Sequence, residues 1–371
     1  MKILVAGDYR LNGRVKADVD NKNYRAFEDV IPITAEVNYS IVNLESPVID
    51  NEAVAIAKTG PNLKCSSNAL EAIKIAGFDC VTLANNHFYD YGDQGVEETI
   101  NACKKFGLEY VGGGINLKDA QRILYKQIDN KVIAIINLCE NEWSIATNNS
   151  GGSNPLNTIQ NYYQIQEARK IADYVLVIVH GGKEHYQLPT PRMKETYHYF
   201  IDCGADVVIN HHQHCYSGYE IYNNKPIFYG LGNFCFDDGA LSSRLWTEGY
   251  MIKLDIDNDD FDLLPYTQCK ESPIIKLLNE RTEFDHQIEI INHIINNDDL
   301  LKLEYNKKII EETKSYYSYL EPIYTNKYLN YLYRKGILPS IWSRNKIKCL
   351  LNILRCETHY EILVNIIKNK I

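Results

Sequence analysis

Along the first two-thirds of the chain, short apolar runs end abruptly in polar residues: KILVAGD, YSIVNLE, CVTLANNH, VIAIINLC, YVLVIVHGG, ADVVINHHQH, KPIFYGLGNF and YMIKLDI. Each run is too short for a helix, and the β-branched residues common in them suit a pleated sheet, so each predicts a strand. Between them, SSNALEAIKIAGF opens on a Ser/Asn cap signal and stops at Gly77, and QGVEETINACKKFG stops at Gly107. Both predict crossover helices, and the alternation is that of an α/β domain. From about Asp255 the pattern changes to Leu, Ile and Tyr at helical spacing, as in LNERTEFDHQIEIINHIINN and SIWSRNKIKCLLNILRCETHYEILVNIIKN. The expected organisation is an α/β domain over residues 1–260 followed by a helical C-terminal extension over 261–371. Within the extension, the Tyr-rich TKSYYSYLEPIYTNKYLNYLYRKG reads as core in preference to a carbohydrate-stacking or partner surface. TNNSGGSNPLNT, residues 147–158, is a polar loop that either lies over a site or is merely mobile.

The polar residues that end the strands are of one chemical kind. The runs close on Asp8, on Asn43 and Glu45, on Asn85, Asn86 and His87, on His180, and on His212 and His214. In open α/β sheets the carboxyl ends of the strands surround the crevice that binds ligands. Alternation along an extended chain sends His212 and His214 to one side while Gln213 faces away. Carboxylate, amide oxygen and imidazole converging on one edge suit one or two divalent ions of borderline hardness, with Mn, Zn and Fe the expected metals. Any one of these residues alone reads equally well as a turn or cap. Independent turns, however, have no reason to select metal-ligand types at every strand end.

Composition narrows the partners. Residues 1–270 hold 24 Lys and Arg against 35 Asp and Glu, and the remainder 15 against 13, which argues against a nucleic-acid-binding body. An acidic protein acting on an anionic substrate needs positive charge from elsewhere, and bound metal supplies it. The ten cysteines are scattered singly from Cys65 to Cys356 without a CxxC pair, which predicts buried thiols rather than a zinc ribbon or a disulfide framework. The opening ILVA run is too short for a signal-peptide core, and no stretch approaches a membrane span, so a cytoplasmic location is expected.

The ordered set GD, NLESP, NNHFYDYG, HGGKEH, GADVVINHHQH and GLGNF resembles the bacterial capsule-synthesis CapA (poly-γ-glutamate capsule protein) family of the calcineurin-like metallophosphoesterase superfamily, over roughly residues 1–255. The resemblance implies a β-sandwich flanked by helices with metals at the strand ends. It further implies Asp8 as the opening metal ligand, Glu45 as the bridging carboxylate, Asn86, His180 and His212 on the second metal, and His214 returning to the first. His87 corresponds to the active-site histidine beside the leaving group. Apart from the resemblance, Asp90 reads either as the carboxylate that holds His87 in its working tautomer or as a turn residue before Tyr91-Gly92. Arg10 stands where the superfamily's Asp-x-His has its histidine. HGG replaces the family's His-Trp-Gly, and NHHQH its Gly-His-His-Pro-His.

Four further residues are candidates for substrate contact: Arg14 as a phosphoryl clamp or a solvent-facing arginine, Asn43 on the Glu45 strand face, Glu184 after the His180 turn, and Asn233 in GLGNF. The expected function is a metal-dependent hydrolase, of phosphoesterase type, acting on a phosphorylated or polymeric substrate in capsule, exopolysaccharide or poly-γ-glutamate biosynthesis. The alternatives are a non-catalytic assembly factor that binds capsule-synthesis proteins through its C-terminal helices, and a metal-dependent amide hydrolase, since an activated water does not by itself choose between the two bonds.

Overall fold

The computed structural model describes residues 1–238, 243–320, 326–339 and 342–369. In chain order the first part runs β1 (Lys2–Arg10), α1 (Gly13–Asp20), α2 (Ile31–Ala35), β2 (Tyr39–Leu44), α3 (Asn68–Ile75), β3 (Cys80–Thr82), α4 (Gly92–Phe106), β4 (Glu109–Val111), β5 (Gly113–Gly114), α5 (Leu117–Ala120), β6 (Leu124–Ile128), β7 (Lys131–Cys139) and β8 (Gly152–Ser153). There follow α6 (Thr158–Arg169), β9 (Tyr174–His180), α7 (Pro191–Asp202), β10 (Val207–His211), β11 (Tyr219–Tyr222), β12 (Lys225–Phe228), β13 (Asn233–Phe236), α8 (Arg244–Thr247), β14 (Glu248–Asp255), β15 (Asp260–Gln268) and β16 (Ile275–Leu277). The chain continues through α9 (Thr282–Ile295), α10 (Asp298–Leu320), α11 (Lys327–Arg334), α12 (Arg344–Arg355) and α13 (Glu357–Lys368).

Two sheets face each other. One has the order β16-β15-β14-β1-β2-β3-β4 with β13 also paired to β1, and the other β11-β12-β10-β9-β7-β6. A single apolar cluster joins them, from Ile3, Val5, Tyr39 and Ile41 on the first to Ile133, Ile135, Val175, Val177, Val207 and Ile209 on the second. Such side chains contribute about 1.5–3 kcal/mol each on burial. Alternation along β1 and β2 sends Leu4, Ala6, Val42 and Leu44 to the opposite face, where α1, α3 and α4 cover them. Ile165 and Ala168 of α6 and Tyr197 and Phe200 of α7 cover the outer face of the second sheet. The architecture is thus α/β, two packed sheets flanked by helices, as the resemblance implies.

β1, β2, β3 and β4 run parallel, as do β7, β9, β10 and β12. α4 ends, as predicted, on Gly107 in the left-handed conformation, φ +63°. Beyond Asp255 the strands do not stop: β15 and β16 extend the first sheet to Leu277, so the change to all-helix falls there and not at 260. Asp260–Gln268 was hidden because its DFDLLPYTQ carries too many polar residues for a buried run, and it needs β14 beside it to become a strand. The Tyr-rich stretch expected as helix core spans α10 and α11, with residues 321–325 outside the described residues; Tyr316 of α10 is buried, but Tyr328 and Tyr331 of α11 are exposed, so the α11 part is not core. All ten cysteines are free thiols, and only Cys349 is not buried. Among the described residues no helix is long and apolar enough to cross a membrane.

Candidate metal centre

Close backbone approach sets the position of Asp8. β1 pairs with β14 through Lys2–Val5 and then with β13 through Asp8–Arg10, with register shifts on both sides of Asp8. The Asp8 N–H donates to Gly232 O at 3.2 Å, and a Cβ on Gly7 would stand 2.0 Å from that oxygen. Glycine before Asp8 is therefore a steric requirement of the β1/β13 contact. Asp8 is buried; its Oδ1 accepts from Asn43 Nδ2 at 2.7 Å, and its Oδ2 from the His212 backbone N–H at 3.1 Å.

Glu45 follows β2 and is fully buried with both carboxylate oxygens lacking a hydrogen-bond partner. Three neighbouring imidazoles face it and each other. His214 Nε2 lies 3.4 Å and His180 Nε2 3.7 Å from Glu45 Oε1, and His212 Nδ1 lies 3.1 Å from His180 Nε2. Asn86 Oδ1 is 3.2 Å from that same His180 nitrogen. The ligand atoms of Glu45, His180 and His212 lie within 4.8 Å of one another, as do those of Asp8, Glu45 and His214. The two groups share Glu45. Burial, then the charges of Asp8 and Glu184, pushes the Glu45 carboxyl well above the usual carboxylate range. Burial likewise drives His212 down to about 4, and His180 well below the usual histidine value. An orphaned buried carboxylate ringed by imidazoles, with His180 and His212 resisting protonation, is a donor set suited to cations.

The two histidines after β10 do not converge by strand alternation. β10 ends at His211, and His212 and His214 have φ of +95° and +56°. These left-handed residues curl the chain back so that both rings reach Glu45 and His180, at a cost of about 1–3 kcal/mol each. His211 packs beside Asp8 in the interior.

Residues 2–238 match the family of the bacterial capsule synthesis protein PGA_cap. The chain belongs to that family. It is 33% identical over 249 residues to the capsule biosynthesis protein CapA of Bacillus anthracis, covering 64% of this chain and 60% of that one. To the PGA biosynthesis protein CapA of Bacillus subtilis (strain 168) it is 32% identical over 242 residues, 64% of each chain. The chain thus spans under two-thirds of the length of these relatives. A solved hypothetical protein from Thermus thermophilus overlaps 72% of this chain and 98% of its own, with a TM-score of 0.45 and 13% identity.

In this PGA_cap family member His87 lies beside the two ligand groups, with Nδ1 2.7 Å from Asp90 Oδ2. Asn85 fixes the turn that presents it: its Oδ1 accepts from the His87 N–H at 3.1 Å, and its Nδ2 donates to Leu44 O at 2.8 Å. The polar loop 147–158 braces this turn from behind, Ser153 Oγ donating to Asn85 O at 2.8 Å. Asp90 also accepts from the Leu63 N–H at 2.6 Å and pairs with Lys58 Nζ, which stands 3.2 Å from His87 Nδ1.

Three of the residues expected at substrate are engaged otherwise. Asn43 is fully buried, its Nδ2 on Asp8 and its Oδ1 accepting from Thr82 Oγ1 at 3.2 Å, so it orients the Asp8 carboxylate. Asn233 Oδ1 lies 2.9 Å from His214 Nδ1, and its Nδ2 donates to His214 O and Trp246 O, so it sets the tautomer that frees Nε2 towards Glu45. Arg14 is bound by the Asp237 carboxylate and the Cys269 and Glu271 carbonyls, none of them part of the centre. Glu184 is exposed over the whole residue, yet protein atoms crowd its carboxyl; that desolvation acts to raise it, but His212, His214, His185 and Lys183 outweigh it and hold it down at about 2. Water screens those charges at so open a position.

Sequence reasoning missed Lys58, Arg10 and Glu142. Lys58 comes from the featureless stretch NEAVAIAKTG, which gives no hint of burial. Arg10 stands where a histidine is expected from the resemblance, yet it shares a strand face with Asp8, carries a buried Nε without a hydrogen-bond partner, and feels the charges of Glu45 and Asp90. Glu142 lies past the end of β7, its Oε1 4.0 Å from His212 Nε2. The strand-end pattern would have reached it had VIAIINLC been followed on through ENE.

Proposed function

We propose that this protein is a metal-dependent hydrolase of phosphoesters that serves capsule or poly-γ-glutamate biosynthesis, with a divalent ion, Mn, Zn or Fe, in each of the two groups that share Glu45. The observation that carries this reading is Glu45 itself, a fully buried carboxylate with both oxygens unpartnered, 3.4 and 3.7 Å from two imidazole nitrogens that belong to different groups. When bound, a pair of such ions supplies an activated water and neutralises charge on a phosphoryl group.

The chain's own residues do the rest. Asp8 and His214 would hold one ion, His180, His212 and Asn86 the other, and Asn43 and Asn233 fix the orientation of Asp8 and His214. His87, with Nδ1 held by Asp90, turns Nε2 to the departing oxygen; burial opposes the imidazolium and the Asp90 hydrogen bond favours it, and in that form the ring gives its Nε2 proton to the departing oxygen and is left neutral, a role worth about 10²–10⁴ in rate. Lys58 holds Asp90 in place behind that ring, and Arg10 faces an incoming anion from the strand that bears Asp8. The capsule and poly-γ-glutamate setting rests on family membership and on the names of the Bacillus relatives.

The test is cleavage of a chromogenic phosphoester by protein stripped and reloaded with each metal. Glu45→Ala and His212→Ala should each lower turnover by about 10²–10³-fold while circular dichroism stays unchanged. A fully loaded protein inert towards phosphomonoesters, diesters and pyrophosphates would sink the hydrolase reading and leave that of an accessory factor. Release of glutamate from the polymer would favour amide chemistry instead.

A further inference from the structure

A second set of metal-ligand side chains lies where the C-terminal helices meet the loop after β7. Glu142, Cys356 and His359 each present a ligand atom, and the three atoms lie within 4.8 Å of one another. Two of the three come from residues beyond the 2–238 family match, so the shared strand-end pattern does not account for them. Cys356 is buried at the single-residue break between α12 and α13. His359 stands in the first turn of α13, its Nδ1 2.5 Å from the Tyr316 hydroxyl. With Nδ1–H donating to that oxygen, the ring would offer Nε2 to a cation, the usual arrangement of a metal-bound imidazole whose other N–H meets an oxygen.

Asn352, one helical turn before Cys356, has its Nδ2 3.5 Å from Glu142 Oε2 and its Oδ1 buried without a hydrogen-bond partner. One thiolate, one imidazole and one carboxylate form a donor set that selects a borderline-soft ion over Mg or Ca. Around a tetrahedral ion with bonds of about 2.0–2.3 Å, ligand atoms stand roughly 3.3–3.8 Å apart, so the present spread closes with side-chain movements of about an ångström. The Cys356 thiol, now donating towards Glu140 Oε2 at 3.5 Å, would lose its proton on binding.

We propose that Glu142, Cys356 and His359 form a second cation site, distinct from the histidine centre, that takes a divalent ion such as zinc and clamps the start of α13 to the loop after β7. The clamp is independent of the phosphoesterase reading. Because Glu142 Oε1 is also 4.0 Å from His212 Nε2, it holds the extension against the mouth of the histidine centre.

Cobalt distinguishes the two sites, since the histidine centre offers no thiolate and only the second site can give a thiolate-to-cobalt charge-transfer band in the near ultraviolet. Full-length protein, stripped with chelator and reloaded with Co(II), should show that band, and Glu45→Ala should retain it. Cys356→Ala should lose the band and about one bound zinc per chain, and His359→Gln and Glu142→Gln should weaken it strongly. Circular dichroism on each variant separates ligand loss from unfolding, with Cys356→Ser as the substitute where alanine does not fold. Cobalt bound without a thiolate band in the wild-type protein overturns the proposal. So does a band that survives Cys356→Ala, or one that is lost there but unaffected by both His359→Gln and Glu142→Gln.

Discussion

Asn233 and Asn43 show what a strand-end pattern reveals and what it conceals. Residues of metal-ligand type are visible in the sequence because they close five apolar runs. The asparagines that orient them look identical in the sequence but act through partners brought close only by folding, Asn43 on Asp8 across the β1/β2 ladder and Asn233 on His214. Asn233→Ala is therefore expected to weaken metal binding by about 10–100-fold without unfolding the protein, as judged by competition with a chromophoric chelator. Unchanged affinity would mean that His214 needs no orienting or is not a ligand. Lys58 makes the complementary case. Its side chain is 3% exposed and Asp90 is fully buried, so removing one member strands a charge. Lys58→Met should cost about 3–5 kcal/mol in urea unfolding, and adding Asp90→Asn should recover much of that loss. Equal destabilisation in the double variant would contradict the pairing.

At the scale of elements, the strands were readable wherever both faces are buried, as in YVLVIVH of β9, and unreadable where one face is polar, as in β15. Helices α9 and α10 were readable from spacing, but not what ties them down. Lys194 of α7 is nearly buried, and its Nζ donates to Ile295 O at 2.7 Å and Asp298 Oδ1 at 2.9 Å, with Glu220 Oε2 of β11 at 3.5 Å. Burial acts to raise the Glu220 carboxyl, but hydrogen bonds from His198 and Tyr229 and the Lys194 charge outweigh it, leaving the group below its ordinary value. A carboxyl depressed on folding stabilises the protein above its unfolded pKa, and that contribution disappears as pH falls through the folded one. Melting curves should therefore show Glu220→Gln less stable than the wild-type protein at neutral pH, by roughly 1–3 kcal/mol, with the gap narrowing from about pH 5 downwards. A gap that stays constant to low pH would show that Glu220 contributes no ionic interaction.

For the whole molecule, the question is how much of the C-terminal extension the two-sheet body needs. Phe284, Ile288, Ile291 and Ile295 of α9 are buried in the same cluster that joins the sheets, and the Phe284 ring stands 5.4 Å from Tyr216 and 5.8 Å from Tyr250. At about 1.5–3 kcal/mol per side chain, α9 supplies about 6–12 kcal/mol, comparable with the whole stability of a typical domain. Tyr305, Ile309, Ile353, Ile362, Leu363 and Ile366, from α10, α12 and α13, instead form a cluster of their own. Two truncations should therefore behave oppositely. Residues 1–279 should fail to give a cooperative melt or should aggregate, because β11, Tyr216 and Tyr250 lose their cover. Residues 1–297 should melt cooperatively, retain metal at the histidine centre, and lose the cobalt–thiolate band along with Cys356 and His359. A well-folded 1–279 would place the functional boundary at the end of β16, whereas a 1–297 that cannot bind metal would make the α10–α13 cluster part of the centre's own support.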